Sequence, residues 1–208
     1  MSILIHPTYF SSISQYIAIA QAKEITFETQ DNYQKQTARN RMYIYSPNGL
    51  QLLNIPIKHS KETHQKYKDV RIENDFNWQK NHFKSLEAAY RTSPFFEYFE
   101  DDIYPIFHKK QEFLMDLNLQ IFEIICSCIG LKITYQKTEE YFKNLENAVT
   151  DFRWLANTKK DNTQIEPYKQ VFDEKHDFLN NLSILDLLFN EGKYTLEYLK
   201  QQQLPFIS

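Results

Sequence analysis

Glycine is scarce. The 208-residue chain holds three, Gly49, Gly130 and Gly192, and each has a structural place. Gly49 closes the turn Ser46-Pro47-Asn48-Gly49, and the other two end helical patterns. None is left for a glycine-rich phosphate loop, which excludes the Walker and dinucleotide-binding fingerprints. A Gly-x-Ser-x-Gly elbow and a His-Glu-x-x-His pair are also missing, so the hydrolase and zinc-protease chemistries built on them are excluded. The two cysteines, Cys126 and Cys128, fall in a predicted helix at a spacing whose side chains diverge. They form neither a metal knuckle nor a disulfide pair, which fits a reducing cytosol. Long apolar runs are absent too. Phe113 to Ile133 is broken by Asp116, Asn118, Gln120 and Glu123, whereas a membrane span needs about 20 largely apolar residues. The start, Met1-Ser2-Ile3-Leu4-Ile5-His6-Pro7, has no basic region ahead of an apolar one, which argues against a signal peptide. The expectation is a cytoplasmic protein without a membrane span.

Apolar and aromatic residues are ample, at 42% and 15%, so disorder is excluded. At this length, with no repeat, low-complexity tract or linker, one domain over 1–208 is the economical expectation. The net charge of −3 hides an asymmetry. Residues 35 to 71 carry eight Lys or Arg against Glu62 and Asp69, a local charge of +6 that leaves −9 elsewhere. Such a section gathers anions, although surface lysines need no partner.

The pattern predicts an α/β fold: a small, mostly parallel sheet with an N-terminal βαβ unit and a β-hairpin, flanked by several helices, with a helical C-terminal portion. Ile3 to Ile5 reads as a buried strand. Ser12-x-x-Gln15 resembles a capping box, followed by Ile13, Tyr16, Ile17 and Ala20 at helical spacing. Glu24 to Thr29 is the second strand, and the crossover between the two is expected to be right-handed. Arg39 to Tyr45 alternates, placing Arg39, Arg41, Tyr43 and Tyr45 on one face, and Leu50 to Ile57 returns as its hairpin partner. Asp69 to Ile72 reads as a short strand. Helices follow over Asn77 to Thr92, Pro94 to Phe107 and Glu112 to Cys128, with Trp78, His82, Phe83, Leu86, Ala89 and Tyr90 as the apolar side of the first. Leu131 to Tyr135 reads as a returning strand, and Thr138 to Pro167 has little pattern. Helices over Leu182 to Glu191 and Thr195 to Gln201 complete the chain.

Four places offer chemistry. The loop His6 to Ser12 follows the first strand. Ligands of open α/β sheets sit there, facing the free N–H groups of the next helix. His6 is then a candidate for proton transfer and Tyr9 for substrate binding, unless both simply finish the core. The strand face of Arg39, Asn40, Arg41 and Tyr43 suits phosphate with stacking, or else is a solvated strand; the acidic chain argues against nucleic acid. Lys58-His59-Ser60-Lys61-Glu62-Thr63-His64 reads as a mobile polar loop closing over a ligand, with Lys58 gripping anions and His59 a second proton-transfer candidate. His59 and His64 lack the acids or cysteines that would complete a metal site. His82, beside Trp78 on a helix face, is either a third candidate or a hydrogen-bonded core histidine.

Several blocks together are familiar. Ile5-His6-Pro7-Thr8-Tyr9-Phe10, Arg39-Asn40-Arg41, Ser46-Pro47-Asn48-Gly49 and Ile55-Pro56-Ile57-Lys58-His59 resemble the WbqC-like family over nearly the whole chain. So do Trp78, Lys80, His82, Leu86 and Tyr90. The blocks Tyr168-x-Gln170-Val171-Phe172 and Asn181 to Gly192 resemble its Bacteroidetes version. The resemblance implies a bacterial cytosolic protein of O-antigen or other surface-polysaccharide synthesis. It also implies an aminoacyl (glycine) or acyl transferase acting on an activated sugar. The ligand would be small and anionic, such as a nucleotide sugar or an acyl carrier, gripped by Arg39, Arg41 and Lys58 with Trp78 nearby; no cofactor is named. His6 stands where the family has Gln, Ser11-Ser12 replace Pro-Trp, and Glu28 and Asp31 fall where relatives show an Asp-Asp pair. A more distant fold-level likeness to HUP-class nucleotidylyltransferases gives the alternative of nucleotidyl or phosphoryl transfer at the His6 loop. A non-enzymatic assembly protein, docking through Phe95, Phe96, Tyr98 and Phe99, is the third reading.

Overall fold

A computed structural model describes residues 1–60, 64–143 and 149–206. Its centre is a parallel sheet of four strands, β1 (Ser2–Ile5), β2 (Glu24–Phe27), β5 (Tyr135–Lys137) and β6 (Val149–Asp151), in the order β5-β2-β1-β6. β1 is interior because Ile3, Leu4 and Ile5 offer an unbroken apolar run, and all three are buried. It pairs Ile3 with Ile25 on one side and with Thr150 on the other.

Helix α1 (Ile13–Gln21) carries the chain from β1 to β2, and Ile13 to Ala20 are all buried. Ser12 caps it by accepting from the Gln15 N–H. The other half of the expected capping box does not form. Gln15 instead donates to the His6 carbonyl at 2.6 Å and accepts from the Thr8 hydroxyl at 2.9 Å. A capping residue thereby becomes the brace that holds the loop after β1 against its own helix.

The hairpin is a separate two-stranded sheet, β3 (Arg41–Ser46) and β4 (Gly49–Asn54), with Tyr43 opposite Leu52. It starts two residues later than the alternation predicted. The expected single face therefore does not exist: Arg39 precedes the strand and is 1% exposed, and Tyr45 is buried. Tyr45 donates to the carbonyls of Phe172 and Asp177, so it serves packing.

Helices α2 (Trp78–Tyr90), α3 (Phe96–His108) and α4 (Leu114–Cys128) follow. α2 buries Trp78, His82, Phe83, Leu86, Ala89 and Tyr90, the side read from its periodicity. The aromatic docking surface is not present: Phe96 and Phe99 are buried and Phe95 is partly buried, leaving Tyr98 as the exposed ring of the four. Asp69 to Ile72 forms no strand; a turn of 3-10 helix at Tyr67–Asp69 and isolated bridges from Arg71 and Ile72 take its place. The return to the sheet also comes later than Leu131, because β5 starts at Tyr135.

Downstream lie a short helix α5 (Asp173–His176), then α6 (Ile184–Glu191) and α7 (Thr195–Gln201). Asp186 of α6 is fully buried and accepts from Tyr90 at 2.8 Å, Tyr168 at 2.5 Å and Gln170 at 2.9 Å. Burial raises its pKa although three donors oppose that. The group ties α6 to α2 and to the 168–170 segment. Gly192 ends α6 with φ +55, and a Cβ there would stand 2.6 Å from the Phe95 ring, so this position admits no side chain. Among the described residues, no helix is long and apolar enough to cross a membrane.

Candidate active site at the carboxyl edge of the sheet

All four strands run in one direction, so their carboxyl ends share one edge. Each strand delivers a polar residue there: His6 follows β1, Glu28 follows β2, Thr138 follows β5, and Arg153 lies just beyond β6. The hydrogen-bond ladder extends past the strands to hold them, from Glu28 N–H to the Ile5 carbonyl, Thr138 N–H to Phe27, and Phe152 N–H to Leu4. This is the edge at which open parallel sheets bind ligands. A cavity of about 190 Å³ opens on it, lined by His6, Asp31, Arg39, Tyr141, Arg153 and Lys160 among others.

The charges in this cleft are largely paired. Arg39 donates from Nη2 to Asp31 Oδ2 at 3.0 Å and to His6 Nε2 at 2.8 Å. Its guanidinium also lies 5.4 Å from the centre of the Tyr67 ring. Tyr67 is held by Asn118, which donates to the phenol oxygen and to the Arg39 carbonyl. Across the cleft, Arg153 grips both oxygens of Asp151 and reaches Glu28 at 3.4 Å. Glu28, with no exposed surface, also accepts from Thr138 and from the Gln30 N–H. Lys160, exposed at the rim, has no side-chain partner among the described residues.

The state of His6 follows from these contacts. Burial, then the Arg39 charge, push its pKa down to about 4, so it is neutral at pH 7. A guanidinium only donates, so Nε2 must be the accepting nitrogen and Nδ1 carries the proton. That Nδ1 has no partner among the described residues, and neither has Arg39 Nε. His6 therefore orients Arg39 through Nε2 and is not set up as a base at that atom. Half-burial works against the Asp31 carboxylate, but the Arg39 charge and the Asn32 N–H oppose it and its pKa is lowered. Asp31 is an anion that stays charged.

The expected phosphate seat at the start of α1 is closed. The Ile13, Ser14 and Gln15 N–H groups already donate to the Leu182 carbonyl, Asn181 Oδ1 and Ser12 Oγ. The structure also distributes the remaining candidates. Tyr9 and His82 are buried and share a 2.9 Å hydrogen bond, with Trp78 edge-on to both rings. Burial lowers the His82 pKa to about 4. Asn40, Arg41, Lys58 and His59 line a separate groove of about 550 Å³. Arg41 and Tyr43, with part of Tyr9, line another of about 340 Å³ against Lys159, Asp161 and Asn181. None of these three cavities unites His6, Arg41 and His82. The proposed closing loop lies partly outside the described residues, at 61–63. Cys126 and Cys128 are free thiols pushed up to about 12, chiefly by burial, which leaves neither as a thiolate nucleophile.

Sequence reasoning missed Arg153, Asp151 and Lys160, which come from the stretch that had little pattern. Val149-Thr150-Asp151, a β-branched pair followed by an acid two residues before an arginine, was the available signal.

The fold and the cleft define an α/β protein with a candidate site at the carboxyl edge of a parallel sheet. The chain belongs to the WbqC-like protein family, whose model matches residues 6–164. It is 26% identical over 226 aligned positions to "Uncharacterized protein Rv1507c" of Mycobacterium tuberculosis, spanning 95% of this chain and 96% of that one. No solved structure matches it.

Proposed function

We propose that the chain is a group-transfer enzyme of bacterial surface-polysaccharide synthesis, moving an aminoacyl or acyl group onto an activated sugar in the carboxyl-edge cleft. The observation that carries this reading is that residues from the segments following all four strands, His6, Asp31, Tyr141 and Arg153, line one small cavity of about 190 Å³ whose walls hold both signs of charge. A carboxylate, Asp31, lines the same small space as a guanidinium and an ammonium, Arg153 and Lys160. Such a cleft suits an amino acid better than a bare phosphate, because its two arginines are already partnered by Asp31, Asp151 and Glu28, which leaves Lys160 as the unpaired cation of the described lining. In the transfer, the sugar's amine or hydroxyl bonds to the acyl carbon. The carrier leaves with the electron pair and takes the proton that the nucleophile gives up. Asp31 is the group to balance positive charge on the nucleophile, and Lys160 with Arg153 the groups to balance the oxyanion. His6 serves by fixing Arg39. His59 lies in the other groove, and His82 is engaged with Tyr9.

Nucleotidyl transfer at the α1 N-terminus is the weaker alternative, because the N–H groups it needs are occupied. The test is a deletion strain complemented with wild type, Asp31→Asn or Lys160→Gln, followed by mass analysis of the surface glycan. Loss of one acyl or aminoacyl substituent on deletion, unrestored by either variant, is expected. An unchanged glycan in the deletion strain would sink the reading.

A further inference from the structure

The loop 31–40 has two sides. Asp31, Gln34 and Arg39 face the carboxyl-edge cleft, while Tyr33, Lys35, Gln36 and Asn40 line the larger groove of about 550 Å³. Arg41 of β3 and the Lys58–His59 segment complete that second wall. We propose that this groove is a binding site for a nucleoside diphosphate group, with the phosphates on Arg41, Lys35 and Lys58 and the nucleoside ring against Tyr33. The choice of ligand deepens the function proposed above and rests on it only in expecting an activated, phosphate-bearing substrate.

Charge is the first argument. The described lining residues include Lys35, Arg41 and Lys58 and no carboxylate. None of these three forms an ion pair among the described residues. In the cleft, by contrast, each arginine already has an acidic partner. An incoming dianion therefore gains more in the groove, where no internal pair must be broken first.

Geometry is the second. Arg41 is held through one edge only, Nε to Asn54 Oδ1 at 3.3 Å, and the same oxygen accepts from Asn40 at 3.0 Å. The guanidinium is thus oriented while Nη1 and Nη2 keep their donors for a bidentate phosphate contact. Asn40 is itself 6% exposed and also donates to the Ile55 carbonyl at 2.9 Å, which fixes the wall beside the guanidinium. Tyr33 supplies an aromatic wall, braced by Tyr67 at 6.1 Å between ring centres.

Size is the third. Small-molecule sites run to about 300–1,000 Å³, so the groove at 550 Å³ is within range and the cleft at 190 Å³ is below it. The bulkier phosphate-bearing part belongs in the groove.

The test is calorimetric titration of the full chain with uridine, guanosine and adenosine diphosphates and with inorganic pyrophosphate, at low and high salt. We expect binding that weakens with salt and falls about tenfold or more in the Arg41→Gln/Lys58→Gln variant, a loss of the size that two charge-assisted contacts carry. Lys132→Gln, an exposed site far along the chain, controls for net charge and should change nothing. Tyr33→Leu should weaken the nucleotides and spare pyrophosphate. No binding at low salt, equal binding by the double variant, or loss on Lys160→Gln instead would overturn the site. Tyr33→Leu acting equally on all probes would overturn the nucleoside assignment. Nucleotide binding that persists while the surface glycan is unchanged by deletion would leave the site standing and remove the transfer reading.

Discussion

The cleft and the groove lie on opposite sides of one loop and treat charge in opposite ways. In the cleft, Arg39 is 1% exposed and bound to Asp31 and His6, and Arg153 is bound to Asp151 and Glu28. In the groove, Lys35 and Lys58 are exposed and Arg41 half-buried, without ion-pair partners among the described residues. Adjacent residues of one loop therefore build a pre-organised polar site and a screened electrostatic one. The first should govern stability and pH response, and the second should govern ligand capture.

The largest effect expected from this contrast is at Asp31. Asp31→Ala leaves the Arg39 guanidinium buried with an uncharged imidazole, the Thr37 hydroxyl and a tyrosine face as its company. Stranding one member of a buried pair costs about 3–5 kcal/mol, which urea unfolding would show as a large drop in midpoint at unchanged slope. A loss under about 1 kcal/mol would mean that the Tyr67 face and His6 satisfy Arg39 alone, and that the cleft is no more tightly built than the groove.

Next in size is pH. His6 and His82 both have folded pKa values near 4, against 6.5 in the unfolded chain. Between those values the unfolded state binds protons that the folded state refuses. Stability therefore falls as pH drops from 6.5 towards 4, and this contribution is fully lost below about 4. The depressed carboxylates Asp31 and Asp151 extend the loss below 3.8 as they protonate. Each histidine accounts for roughly 3 kcal/mol at about 1.4 kcal/mol per pKa unit. His6→Gln, which keeps a polar side chain without a titrating ring, should remove one histidine's share, read as a shallower loss of urea midpoint between about pH 7 and about pH 4.5. Superimposable profiles for wild type and variant would break the assignment of acid sensitivity to the cleft.

The elements with strong local signals were legible in the sequence, and those set by partners were not. β1, α1 and β2 follow from an apolar run, a serine cap and β-branched residues, and α2 from its period. β5 and β6 are three residues each and exist because β2 and β1 offer ladder edges to them. Tyr135-Gln136-Lys137 has no apolar alternation to announce it. The same limit applies to the site. His6 could be placed at a strand exit, and Arg39 could be flagged as an anion grip. Alternation put Arg39 on an exposed face with Arg41, whereas its burial depends on Asp31, Tyr67 and Asn118 reaching it from three other segments. Arg153 was invisible because β6 was.

The smallest stability effect is expected in the groove. Arg41→Gln with Lys58→Gln removes two cations from a wall of like charge, where the interaction that Arg41 loses is a 3.3 Å contact to Asn54. Surface substitutions of this kind stay within about 0.5 kcal/mol, and relief of repulsion from Lys35 works in the stabilising direction. The expected midpoint equals that of wild type or lies slightly above it, with the difference shrinking as salt is added. The same pair of substitutions should abolish most diphosphate binding, so one variant separates fold from capture. A loss of more than about 1 kcal/mol would show that these cations hold the hairpin in place. In that case the groove would be structural in the same sense as the cleft, and the division of labour across the 31–40 loop would be lost.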